Sequence, residues 1–245
     1  MAKIRLFLDH PLGQGQAIPL DGAQAHYLGG VMRRSVGEEI AVFNGRDGEW
    51  TARLDALSKR GGEVSCLRQS APQQNPPDLW LIFAPIKKAR TDFIVEKAAE
   101  LGAARIIPVQ TDHTNSERIR QDRLQAHAVE AAEQCGGTFV PTVDDLTPLS
   151  RLLDHWPDDR AILWADEAMV GPAQTLARLK PGPWAILIGP EGGWSQIERE
   201  RLSRIALVHR ISLGPRILRA DTAAVAALAL WQAQLGDWIP SSKDT

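Results

Sequence analysis

One short segment, Ala71-Pro72-Gln73-Gln74-Asn75-Pro76-Pro77-Asp78, divides the chain into two stretches written in different hydrophobic periods. Its prolines fix φ and remove amide donors, so it continues neither a helix nor a central strand. Residues 71–78 therefore predict a linker between a domain over 1–70 and another over 79–245. Before it, Ile4–Leu8, Glu39–Phe43, Trp50–Leu57 and Glu63–Leu67 alternate as strands do, with turns at Asn44-Gly45 and Arg60-Gly61-Gly62. Asp21–Leu28 predicts a short helix, and the whole a small β-barrel. After it, apolar runs at Leu79–Ala84, Arg105–Val109, Ala161–Ala165, Ala185–Gly189 and Val208–Leu213 read as buried strands. Helices are expected at Thr91–Leu101, capped by Gly102, and at Glu117–Gln134, Pro172–Leu179, Ser195–Ile205 and Asp221–Leu235. That alternation predicts an α/β domain with a parallel sheet.

Composition removes several functional classes. The net charge of −2 does not suit a protein that coats RNA nonspecifically, so any RNA contact must be local. The two cysteines, Cys66 and Cys135, form no metal or redox pattern and fit a reducing cytosol. The start Met1-Ala2-Lys3-Ile4-Arg5 opens no signal-like apolar run, and no stretch approaches the ~20 apolar residues of a membrane helix. A cytoplasmic protein that does not enter a membrane is expected. The histidines, at 10, 26, 113, 127, 155 and 209, offer no ligand pair at helical or strand spacing, so no metal site is expected. Gly13-Gln14-Gly15 lacks the third glycine and the helix of a dinucleotide fingerprint.

Two late segments carry the chemistry. In Gly189-Pro190-Glu191-Gly192-Gly193-Trp194, three glycines allow positive φ and close backbone approach to a ligand. The loop runs from a strand end into Ser195-Gln196-Ile197-Glu198, a capping box that starts a helix. In open α/β sheets ligands bind at such strand ends. A phosphate loop would need Lys-Ser or Lys-Thr at the helix start, and Glu191 would repel phosphate. Read alone, the segment is equally a tight turn before a capped helix. The second segment, Leu213-Gly214-Pro215-Arg216-Ile217-Leu218-Arg219-Ala220, places two arginines among apolar neighbours, where each needs a partner or a task. The bland reading is an Arg219–Asp221 ion pair.

Together these blocks resemble the SPOUT methyltransferases, and more narrowly the RsmE family, which methylates N3 of a uridine in small-subunit (16S) ribosomal RNA. Further likeness lies at Arg5-Leu6-Phe7, His26–Arg33, Lys87–Gly102 and Glu130–Cys135. The Gly-Pro-Glu-Gly-Gly block is shared across knotted methyltransferases, whereas Leu-Gly-Pro-Arg-Ile-Leu-Arg points to this family. Two positions depart. Gly137 stands where the family usually has arginine, and Asp221 where many members have glutamate.

The resemblance implies a PUA-like barrel ahead of a SPOUT domain with a deep trefoil knot, and a homodimer. It implies S-adenosylmethionine as cofactor, held by Ala165, Ile188, Gly189, Pro190, Glu191, Gly192, Gly193, Leu213, Gly214, Ile217, Leu218 and Ala220. Arg219 is the expected catalytic residue, favouring the uridine imide anion as it forms, with Glu191 or Asp221 as proton relay. Arg5, Arg33, Arg34, Lys87, Lys88, Arg90 and Arg216 are the expected RNA contacts. A base methylated at N3 must be unpaired or flipped out, so the implied substrate is 16S rRNA in the assembled or assembling small subunit. Two alternatives stay open at this point: an RNA-binding adaptor that lost catalysis, and a SPOUT enzyme acting on transfer RNA.

Overall fold

A computed structural model describes residues 4–115, 119–169, 176 and 179–239. Contacts divide the chain into two units, Met1–Asn75 with Ala132–Val140, and Pro76–Ala131 with Pro141–Thr245. The break in the continuous part of the first unit falls inside the proline-rich segment. Residues 132–140, which the sequence reading placed in the second domain, belong with the first unit.

The first unit contains β1 (Arg5–Phe7), β2 (Ala17–Leu20), α1 (Gly22–His26), β3 (Glu39–Phe43), β4 (Glu49–Ser58) and β5 (Gly61–Ala71). A π turn at Tyr27–Val31 follows α1. The strands form a mixed sheet in the order β1-β3-β4-β5-β2, parallel only at β1–β3. Register shifts between β4 and β5 raise the local twist and curl the sheet. Leu6, Ile18, Leu28, Ile40, Val42, Leu54 and Val64 fill its core. Strand β2 alternates exposed and buried residues, but Pro19 inside it argues against a strand, and the sequence reading passed over it.

The second unit is laid out as β6 (Leu79–Phe83), α2 (Lys88–Glu100), β7 (Arg105–Gln110), α3 (Gln121–Cys135, its last turn in the first unit), β8 (Thr142–Val143), β9 (Thr147–Pro148), α4 (Leu149–Asp154), β10 (Ala161–Ala165), β11 (Trp184–Ile188), α5 (Gln196–Ser203), β12 (Val208–Ile211) and α6 (Ala220–Leu235). The expected α/β class is found, with a parallel sheet in the order β12-β10-β11-β6-β7-β8 and β9 paired to β7. The two-residue strands β8 and β9 and the one-and-a-half-turn α4 were too short to leave a period in the sequence. The helix expected at Pro172–Leu179 lies outside the described residues except for Leu176 and Leu179, as does the expected start at Glu117.

Two helix ends follow directly from local chemistry. Gly102, at φ +75°, ends α2 in a left-handed turn, with Gly102 N–H donating to Ala99 O and Ala103 N–H to Ala98 O. Ser195 and Glu198 form the reciprocal box at the start of α5, with Ser195 N–H 2.9 Å from Glu198 Oε2. Helix α6 buries Ala224, Ala227, Leu228, Trp231 and Leu235, and buried Gln232 donates to Leu101 O at 2.7 Å. No helix among the described residues is long and apolar enough to cross a membrane.

Candidate active site

Strand β10 lies between β11 and β12, so the chain passes from β11 back across β10 to reach β12. Such a reversal leaves a crevice at the carboxyl ends of the strands. The last residues of the three strands are in register, Ala165 opposite Ile188 on one side and Ile211 on the other. This apolar row floors a cavity of about 330 Å3. Its walls are the loops that leave the three strands, together with the first turn of α6.

The loop after β11 is shaped by what its glycines make room for. A Cβ on Gly189 would lie 2.7 Å from the Trp194 indole, which is buried and packs edge-on against Trp164. Gly193 has φ +71°, and a Cβ there would meet Glu167 Oε1 at 2.6 Å. His113 Nδ1 lies 3.1 Å from the carbonyl oxygens of both Gly192 and Gly193, and donates to them when that nitrogen carries the proton. Asp112 N–H donates to Glu198 Oε1 at 3.0 Å. The segment after β7 thus clamps the glycine loop and the start of α5 together. In the loop after β12, Gly214 at φ +119° takes a conformation open to glycine alone.

Of the expected cofactor residues, Ala165, Ile188, Gly189, Pro190, Glu191, Leu213, Gly214, Ile217, Leu218 and Ala220 line this cavity, as do Arg216 and Arg219. Gly192 and Gly193 do not line it; they shape the turn behind it. The premise about the two arginines needs correction. Both are exposed, not enclosed by apolar neighbours. The Arg219–Asp221 pair is not formed. Asp221 Oδ2 instead accepts from Arg90 Nη1 at 2.8 Å, and its Oδ1 from Thr222 N–H. Arg219 is the N-cap residue of α6 and makes no side-chain hydrogen bond or ion pair among the described residues.

The lining residues that sequence reasoning missed are Asp166, Glu167, Met169, Ile211 and Ala223. The first three follow directly on β10, where the strand-end rule alone pointed. The Asp166 carboxylate is fully buried. Burial pushes its pKa up, but hydrogen bonds from Arg199, Ala168 N–H and Arg210 outweigh burial and hold it below the usual carboxylate range.

The expected RNA contacts are differently placed. Arg5 is removed from that set. Its side chain is 9% exposed, stacks 4.5 Å over the Phe43 ring, and donates to Glu49 and to the carbonyls of Ala132, Glu133 and Gly137. Gly137, the departure noted above, therefore supplies a backbone acceptor for Arg5 at 2.6 Å. Arg90 is held by Asp221, and Arg34 lies 3.3 Å from Glu38. Arg33 is exposed with φ +53°, and Lys87 and Lys88 are exposed at the start of α2.

Comparison with known proteins gives the class. The model of the RNA methyltransferase domain matches residues 73–232, and that of the RNA methyltransferase PUA domain residues 20–65. The fold is that of an RNA methyltransferase of the SPOUT-like class, preceded by a PUA domain. A ribosomal RNA small subunit methyltransferase E from Rickettsia conorii is 29% identical over 92% of this chain and 93% of its own. One from Synechocystis is 31% identical over 86% of this chain and 71% of its own. The crystal structure of the Neisseria gonorrhoeae enzyme of that name, bound to S-adenosyl methionine, superposes with a TM-score of 0.87 at 29% identity, covering 97% of this chain and 100% of that one. The chain belongs to the ribosomal RNA small subunit methyltransferase E family.

Proposed function

We propose that this chain methylates N3 of a specific uridine in 16S ribosomal RNA, using S-adenosylmethionine. The observation that carries the reading is the cavity at the aligned ends of β10, β11 and β12, with Arg219 unpartnered among the described residues at its rim. The residues fit the cofactor. The floor is apolar, the lining offers main-chain groups from two glycine-bearing loops, and the Gly214 backbone is open to no other residue. The exposed Glu191 disfavours a phosphorylated ligand.

When bound, the cofactor supplies a methyl group made electrophilic by its sulfonium. The protein's part is positioning and charge. Ala165, Ile188, Leu213, Leu218 and Ala220 would enclose the cofactor, and Gly189 and Gly214 would let backbone approach it. To accept that methyl group, uridine N3 would have to give up its proton. Arg219 offers a guanidinium to the flanking carbonyl oxygens, which carry the imide charge. Glu191, exposed and lining the cavity, accepts the proton. Asp221 is engaged with Arg90 and is better suited to hold that arginine than to relay protons.

Arg33, Lys87, Lys88 and Arg216 are the exposed cations assigned to RNA phosphates, with Arg34 and Arg90 braced by carboxylates. The family likeness further supports a trefoil-knotted chain, a homodimer, a cytoplasmic location and a substrate within the assembled or assembling small subunit. The test is methyl transfer from labelled cofactor to small subunits from a strain lacking the modification, with the modified nucleotide mapped. Label at N3 of one 16S uridine is expected. Label in transfer RNA, or cofactor binding without transfer, would overturn the proposal.

A further inference from the structure

Asp166 stands out among the cavity residues because it is the one buried carboxylate and its oxygens are fully occupied. Oδ1 accepts from Arg199 Nη1 at 2.8 Å and from Ala168 N–H at 3.1 Å. Oδ2 accepts from Arg210 Nε at 2.9 Å and from Arg210 Nη2. Two lone pairs on each oxygen are thereby used, and none remains for a ligand hydroxyl. The partners come from separate elements. Arg199 belongs to α5, which continues the glycine loop, and Arg210 to β12, which feeds the arginine-bearing loop. Both guanidiniums also lie over the Trp164 ring, at 5.8 and 5.0 Å to its centroid. Trp164 packs on Trp194, the ring for which Gly189 makes room. Arg199 reaches Glu167 as well, the side chain that abuts Gly193.

We propose that Asp166 is a positioning residue for the cofactor cavity: its carboxylate locks the loop after β10 to α5 and β12, and so fixes all three cavity walls at one spacing. This rests on the reading of the cavity as the S-adenosylmethionine site. Without the carboxylate, Arg199 and Arg210 are two like charges on one indole, and each draws its loop away from the cavity.

The experiment is calorimetric titration of the full chain with S-adenosylmethionine, with steady-state methyl transfer beside it, for wild type, Asp166→Asn and Arg210→Gln. Asp166→Asn should raise the Kd and the cofactor KM about tenfold, with kcat/KM for the cofactor falling at least as much. Arg210→Gln, at a half-exposed position, should raise the Kd by about threefold. It decides the matter if Asp166→Asn does not fold. An unchanged Kd in either folded variant, with only a lower melting temperature, would show a brace for the fold and overturn the proposal. Failure of wild type to bind the cofactor would instead overturn the reading of the cavity itself, and this inference with it.

Discussion

Arg219 is where residue-scale chemistry is most exposed to test. Its side chain is solvent-facing and makes no hydrogen bond or ion pair among the described residues, so its removal should leave the fold within about 0.5 kcal/mol of wild type. Methyl transfer by Arg219→Ala should fall about 100- to 1,000-fold, as when one donor to a developing anion is removed. Parallel measurement of kcat, cofactor Kd and thermal melting checks this, and near-normal turnover would remove Arg219 from the chemistry. The sequence made this residue legible through the block that contains it. Its surroundings were not legible. The apolar neighbours Ile217 and Leu218 suggested enclosure, yet Ile217 is 75% exposed, because the segment is a rim and not a core strand. Asp166 was illegible for a different reason. A single aspartate after an apolar run is an ordinary strand end, and Arg199 and Arg210 are dozens of residues away in sequence, so the network that gives it meaning exists only after folding.

At the level of elements, the capping box and the segment after β7 meet on one side chain. Glu198 accepts from Ser195 N–H with one oxygen and from Asp112 N–H with the other. Ser195→Ala removes one acceptor at the helix start together with the hydroxyl's own bond to Asp112 Oδ2, and should cost about 1 kcal/mol. Glu198→Ala strips acceptors from two separate amides and should cost about 2 kcal/mol or more. Urea denaturation of the two variants orders them, and a loss for Glu198→Ala no greater than that for Ser195→Ala would mean that the Asp112 N–H bond to Glu198 contributes no more than the Ser195 hydroxyl bond to Asp112. The tie from β10 to α5 and β12 has a pH signature. Asp166 is held below the usual range in the folded chain, so its contribution is complete above its unfolded pKa of about 3.9 and is lost as pH falls through the lower folded value. The gap in unfolding free energy between wild type and Asp166→Asn should therefore be flat from about pH 8 to 5 and narrow below about pH 4. A gap that widens on acidification would contradict the ion network. The main strands and helices were legible because each is long enough to show its period. The order of the strands was not, since a parallel sheet writes the same apolar run at every position. Yet that order puts Ala165 between Ile188 and Ile211 and thereby makes the cavity.

For the whole molecule, the informative residue is Arg5, which separates folding from RNA binding. The proline-rich break was visible in sequence, but the membership of Ala132–Val140 in the first unit was not, because nothing in a helix's period says where its last turn packs. Arg5 holds that segment by donating to the carbonyls of Ala132, Glu133 and Gly137 while paired with Glu49. Arg5→Ala takes the guanidinium from those carbonyls and from the largely buried Glu49, whose Oε1 still accepts from Ser70 Oγ, and should destabilise the first unit by about 2 kcal/mol. Arg5→Lys should recover only part of this, because one ammonium cannot span the acceptors that a planar fork reaches. Arg33 offers the contrast. It is exposed, and its loss should leave stability nearly unchanged while removing one phosphate contact. The slope of log affinity against log salt would then become shallower by about 0.7–0.9 for Arg33→Ala, and stay unchanged for Arg5→Ala measured where that variant is folded. Denaturation curves and RNA titrations at several salt concentrations separate the two arginines. A salt slope altered by Arg5→Ala, with stability intact, would return Arg5 to the RNA surface and detach residues 132–140 from the first unit.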